Sequence, residues 1–191
     1  MEILESYIQK GHFFAIKADN GKYLTSDSVI GSTIEASKEG VTDADCYCHF
    51  YVEKIDKNTI ALKTASQIYL SRYSYENVFG ERFEFISVSK TAIDEQCKFK
   101  IYFDENDLVT YKEQMKLGPW PHPYFPAKIL LQTDNGKFLS RIHYLPNHLF
   151  NDRSNKNHEF IEAKKVEVEE HCKFGLFAFK PSEISYYPTL N

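Results

Sequence analysis

The chain has 191 residues, of which 42% are apolar and 15% aromatic, and its net charge is −4 at pH 7. A single domain of this length buries roughly 70% of its unfolded surface, so neither disulfide nor metal is required for it to fold. An acidic balance without clustered Lys and Arg excludes nucleic acid as the main partner, and no apolar run of about 18 residues is present to span a membrane.

Met1–Gly11 shows little pattern. Its ILESYIQK stretch fits one helical turn or an edge strand, and no role follows from it. No basic segment precedes an apolar core, so no signal peptide is expected, and Glu2 leaves no N-myristoylation site. These features together point to a cytoplasmic protein.

The first repeat runs from His12 to about Asp56. Phe14–Ser26 reads FAIKADNGKYLTS, two β-type runs around Asn20-Gly21. Asn-Gly between such runs signals a hairpin, with both positions expected at positive φ in a type I′ turn. The second run carries Tyr23-Leu24. A further β-like patch follows at Thr33–Ala36, then a polar loop at Ser37–Asp45, then the strand-like CHFYVEKI opened by Cys48-His49-Phe50.

The second repeat, about 57–103, keeps this order. Thr59–Arg72 reads TIALKTASQIYLSR, with Tyr69-Leu70 in place of Tyr23-Leu24. Ser66-Gln67 replaces Asn-Gly, so this turn is expected to differ in type or length. Arg82–Val88 is the third strand, and Cys97-Lys98-Phe99 opens the fourth.

The segment 104–126 breaks the pattern. It holds four of the seven prolines and the only tryptophan, Trp120. Proline cannot donate to a sheet ladder, so Gly118–Pro126 is no central strand. Leu108–Tyr111 could still extend the preceding hairpin, or the whole segment could be an insertion. Trp120, His122, Tyr124 and Phe125 form the candidate binding surface, because rigid aromatic anchors lose little entropy on binding. The competing reading is that these rings only cover the side or end of a barrel.

The third repeat runs from Ala127 to about Lys180. AKILLQTDNGKFLSR contains Asn135-Gly136 and Phe138-Leu139, His158–Ala163 is the third strand, and Cys172-Lys173-Phe174 opens the fourth. Leu145–Asn157 is a polar loop, Val166–Glu170 could prolong a strand, and residues 181–191 form a tail. Three units of four strands imply an all-β fold, a β-trefoil of twelve strands. In it six strands make a barrel and six make hairpins that cap one end, with an insertion between repeats two and three.

Repeat equivalence also decides the chemistry. Cys48, Cys97 and Cys172 stand at one position in each unit, which reads as small buried hydrophobes serving the fold rather than nucleophiles or disulfides. Phe50, Phe99 and Phe174 and the pairs Tyr23-Leu24, Tyr69-Leu70 and Phe138-Leu139 read as core. Cys46-x-Cys48 with His49 lacks the second ligand pair that a structural zinc site needs, so no metal is expected. His143, His148 and His158 read as residues of a solvated loop. Lys98, Lys100, Lys164, Lys165, Lys173 and Lys180 read as ordinary surface. No catalytic residue and no cofactor site can be named.

The strings AIKADNGKYLTS, IALKTASQIYLSR and LLQTDNGKFLSR resemble the fascin-type β-trefoil repeat, and CHFYVEKIDKNTIALKTASQIYLS is similar to the hisactophilin-like single trefoils of the same group. The resemblance covers about 12–103 and 127–180. It implies a non-catalytic module that engages a protein partner such as actin filaments. β-Trefoils in general also bind carbohydrate, which supplies the alternative. The chain departs from the fascins in having one trefoil and from the hisactophilin-like proteins in having only seven histidines and Glu2, it lacks the QxW triplet of ricin-type lectins, and no family binding residue maps onto it.

Overall fold

The computed structural model describes residues 2–27, 32–41, 46–76, 79–103, 127–144 and 158–179. Among them lie one helix, α1 (Glu2–Gln9), and twelve strands. The first repeat supplies β1 (Phe13–Lys17), β2 (Tyr23–Thr25), β3 (Glu35–Lys38) and β4 (Phe50–Lys54). The second supplies β5 (Thr59–Thr64), β6 (Tyr69–Glu76), β7 (Arg82–Lys90) and β8 (Phe99–Phe103). The third supplies β9 (Ala127–Gln132), β10 (Phe138–Tyr144), β11 (His158–Lys165) and β12 (Phe174–Phe179).

Strand pairing closes a ring. β1 pairs with β4, β4 with β5, β5 with β8, β8 with β9, β9 with β12, and β12 with β1, all antiparallel. The other six strands form the hairpins β2–β3, β6–β7 and β10–β11. These meet one another through β11–β3, β11–β7 and a bridge between Thr33 and Ser87. A six-stranded barrel with three joined hairpins is a β-trefoil. Closure removes the open strand edges that would otherwise invite aggregation.

Each hairpin carries a register shift at the same place, between Tyr23 and Leu24, Tyr69 and Leu70, Phe138 and Leu139. The bulge separates the two side chains of each pair. Leu24, Leu70 and Leu139 are buried in the main core with Phe14, Phe50, Phe99 and Phe174. The aromatic member is only half-buried, contrary to a core assignment. Lys17 lies over the Tyr23 ring at 5.1 Å, Lys63 lies over Tyr69 at 6.0 Å, and Phe138 meets Tyr102 at 6.0 Å.

The three cysteines Cys48, Cys97 and Cys172 are fully buried and reduced, each the last residue of a 3-10 turn that leads into β4, β8 or β12. In the third repeat this turn, Glu170–Cys172, follows the end of β11 at Lys165, so Val166–Glu170 does not prolong the strand. Val166 and Val168 are exposed.

The turns also correct an expectation. Residues 18–22, 64–68 and 133–137 have the same length and the same two backbone hydrogen bonds. Only the fourth residue of each is at positive φ: Gly21 (80°), Gln67 (63°) and Gly136 (77°). This is a type I turn followed by a left-handed residue rather than a type I′ turn. The second repeat therefore keeps the geometry and accepts a strained Gln67.

α1 acquires a role that its sequence did not announce. It ends in a Schellman motif, with Gly11 at φ 71°, Gly11 N–H on Ile8 O and His12 N–H on Tyr7 O. Leu4 is fully buried and joins the barrel core, with Tyr7 and Ile8 packed beside it, and Glu5 pairs with Lys54 of β4.

Candidate functional site

The side chains of β7 and β11 alternate between two cores. Ile86 and Ile161 belong to the barrel interior, while Phe83, Phe85 and Phe160 form a second cluster, with Tyr75 and Ile142 packed against it. The Phe83 and Phe85 rings are stacked at 5.8 Å, and Phe85 meets Phe160 edge-on at 5.6 Å. β6 and β7, of eight and nine residues, extend well past β2 and β3, of three and four. Tyr73, opposite Phe85 in the register, is 51% exposed, and Phe79 in the β6–β7 connection is 79% exposed. This hairpin thus exposes one aromatic ring on its paired strands, Tyr73, and one in its connection, Phe79.

His158 extends the cluster. It is buried, its ring is stacked on Phe160 at 5.5 Å, and its Nδ1 lies 3.4 Å from Glu35 Oε2. It is therefore not a solvated loop residue. His143 is exposed on β10 and lies 3.0 Å from Glu159 Oε1. His148 lies outside the described residues, as do Trp120, His122, Tyr124, Phe125, Leu108–Tyr111, Leu145–Asn157 and Lys180.

Two arginines bind the repeats together. Arg72 of β6 donates to both carboxylate oxygens of Asp134, at 2.7 Å each, and to Glu84 of β7. Arg141 of β10 donates to both oxygens of Asp19, at 2.6 and 2.7 Å, and to Glu159 of β11. Burial pushes the Asp19 carboxyl up, but hydrogen bonds from Arg141 and His171 outweigh it and bring it to about 2. The Arg72 hydrogen bonds hold Asp134 below the usual carboxylate range. Glu84 and Glu159 are likewise lowered, burial being overcome by Arg72 and Ser74 in one and by His143 and Arg141 in the other. These carboxylates are committed anions whose charge is spent on structure.

Glu162 of β11 is the exception. It is 1% exposed, its Oε2 accepts no hydrogen bond, and Lys164 Nζ stands 3.9 Å from its other oxygen. Burial raises its carboxyl above the ordinary range. Burial also raises the thiols of Cys97 and Cys172, which keeps them protonated at neutral pH and poor as nucleophiles. Lys98 and Lys173 are paired with Glu95 and Glu170 three residues before them. Among the described residues no three of His, Cys, Asp and Glu come together to hold a metal ion, and no helix is long and apolar enough to cross a membrane.

Sequence reasoning missed the arginine clasps. The signal was present as Ser-Arg at 71–72 and 140–141 and as Asp-Asn-Gly at 19–21 and 134–136.

No protein-family model and no curated protein sequence matches the chain. Solved structures do. A designed 3-fold symmetric protein, ThreeFoil, aligns with a TM-score of 0.56 at 9% identity, over 86% of this chain and 97% of the design. The fold is a β-trefoil. An SDF2-like protein from Arabidopsis thaliana aligns at 0.57 and 14% identity, over 88% of this chain and 92% of that one. The S. cerevisiae protein O-mannosyltransferase Pmt1-Pmt2 complex bound to the sugar donor aligns at 0.59 and 11% identity. There this chain matches 24% of the other's length, so it corresponds to a minor part of that protein. At these identities the trefoil's likeness is one of architecture.

Proposed function

We propose that this trefoil is a non-catalytic binding module that engages a protein partner through the aromatic surface of the β6–β7 hairpin. The fascin-type resemblance makes actin filaments the first candidate. The observation that carries the reading is the exposure of Tyr73 and Phe79 on a hairpin whose other rings, Phe83 and Phe85, are buried. Rigid aromatic rings bury large area at little entropic cost, which is the usual make-up of binding hot spots.

The test is co-sedimentation with actin filaments at low salt, using the wild type and a Tyr73→Ser/Phe79→Ser variant. The wild type is expected in the pellet, and the variant is expected to bind roughly tenfold or more weakly, the loss typical of removing a hot spot. A wild type that stays in the supernatant, or a variant that binds equally well, removes the reading. The lectin-like alternative draws on the same exposed ring of Tyr73, on which a sugar face could stack. Glycan-array binding without filament binding selects it.

A further inference from the structure

The two arginine clasps obey one rule. The residue after Leu-Ser in the second strand of a repeat reaches the second turn residue of the next repeat. Arg72 of repeat two reaches Asp134 of repeat three, and Arg141 of repeat three reaches Asp19 of repeat one. The third seam, from repeat one to repeat two, places Ser26 where the arginines stand and Ala65 where the aspartates stand. Both halves of the clasp are gone together. Ser26 turns inward, its N–H and Oγ both donating to Tyr47 O, at 3.0 and 3.1 Å, within its own repeat.

The same corner is short of sheet. β2 and β3 have three and four residues, against seven and eight for β10 and β11 and eight and nine for β6 and β7. Toward the other hairpins β3 and the residues just before it make the backbone bonds Ile34 N–H to Ile86 O (2.9 Å), Val88 N–H to Ser32 O (2.7 Å) and Ile161 N–H to Ile34 O (3.1 Å). These lie where the three hairpins meet; among the described residues the seam at Ser26 and Ala65 has no arginine–carboxylate clasp to add to them.

We propose that the β2–β3 corner is a built-in opening of this trefoil, the hairpin that detaches first while the barrel and the other two hairpins stay closed. Bidentate Arg–carboxylate pairs fix geometry as well as energy, and local opening begins where cooperative ties are fewest. Detachment uncovers Ile34 and Ala36 and parts Glu35 from His158, which bares the flank of the Phe85–Phe160 cluster. The β2–β3 hairpin is thereby a movable flap at the edge of the aromatic cluster, whatever that cluster binds.

Hydrogen exchange of the full-length wild type, read by mass spectrometry, tests this without any variant. Amides of β2 and β3 are expected to exchange about tenfold or more faster than those of β6–β7 and β10–β11, as a separate opening unit would. Equal protection in all three hairpins overturns the proposal. Installing the missing clasp, Ser26→Arg with Ala65→Asp, is expected to slow β2–β3 exchange and leave the other hairpins unchanged. Removing an existing one, Arg72→Ser with Asp134→Ala, is expected to bring β6–β7 exchange up toward that of β2–β3. If neither variant changes the order of the corners, the clasps do not set the opening and the proposal fails.

Discussion

Arg141 and Asp19 lie 122 residues apart in the chain, yet both guanidinium–carboxylate contacts are under 3 Å, at 2.6 and 2.7 Å. The pair joins the third repeat to the first, so it closes the ring of repeats that the covalent chain leaves open. His171 adds a third contact on the same carboxylate, 2.7 Å from Asp19 Oδ2.

This pair makes stability acid-sensitive in a defined window. The Asp19 carboxyl titrates at about 2 in the folded protein, below its ordinary 3.8. A depressed folded value means that the contribution is fully present above the unfolded pKa and is lost as pH falls through the folded one. Asp19→Asn is expected to cost about 2 kcal/mol at pH 7, in the range for hydrogen bonds to a charged group. The difference from the wild type should hold down to about pH 4 and close toward pH 2. Urea unfolding midpoints across that range check it.

Glu162 has the opposite sign. Its folded carboxyl is raised by burial above the ordinary 4.5, so its charged form opposes folding. The penalty is absent below the unfolded pKa and grows as pH rises above it. Glu162→Gln is expected to match the wild type near pH 4 and to be about 1 kcal/mol more stable at pH 7, the order of cost of a buried polar atom that lacks a hydrogen bond. Thermal melts at both pH values read this directly. A variant less stable at pH 7 would mean that the charge has a stabilising partner.

Leu4 tests the helix as part of the core. It is 0% exposed, and truncation of a buried leucine to alanine costs about 2–5 kcal/mol. Leu4→Ala should show that loss in chemical denaturation, with a single transition shared by fluorescence and circular dichroism. A loss under about 0.5 kcal/mol, typical of surface positions, would mean that α1 merely rests on the barrel.

Gln67 sits at φ 63°, where its repeat partners Gly21 and Gly136 pay no steric penalty. A side chain in the left-handed region costs about 1 kcal/mol, and no side-chain hydrogen bond of the described residues rewards the glutamine in return. Gln67→Gly is expected to raise stability by up to that amount, less the entropy that glycine gains in the unfolded chain. Equilibrium unfolding of the variant measures the difference.

The thiols should divide cleanly. Cys48, Cys97 and Cys172 are fully buried and Cys46 is exposed. A thiol reagent such as dithionitrobenzoate should modify one cysteine quickly in the native protein and all four in denaturant. Rapid native labelling of Cys97 or Cys172 would contradict the structure.

The amino-acid sequence alone determined the architecture of this protein: three units, four strands in each, a buried cysteine before every fourth strand, and a hairpin turn at the same place in every unit. Those features are local. Alternation along a strand and turn chemistry are written in neighbouring residues, and threefold repetition reinforces each signal. The tertiary structure decided what local pattern does not carry. It set Leu4 into the barrel, placed His158 against Glu35, left Glu162 Oε2 without a hydrogen bond, and divided the aromatic–Leu pairs by a bulge. It also turned Ser-Arg and Asp-Asn-Gly, unremarked strings in the linear chain, into ties between repeats. The reason is that a charge finds its partner only when ring closure brings distant segments within hydrogen-bond reach, and the chain encodes that proximity in the fold as a whole rather than in any one stretch of it.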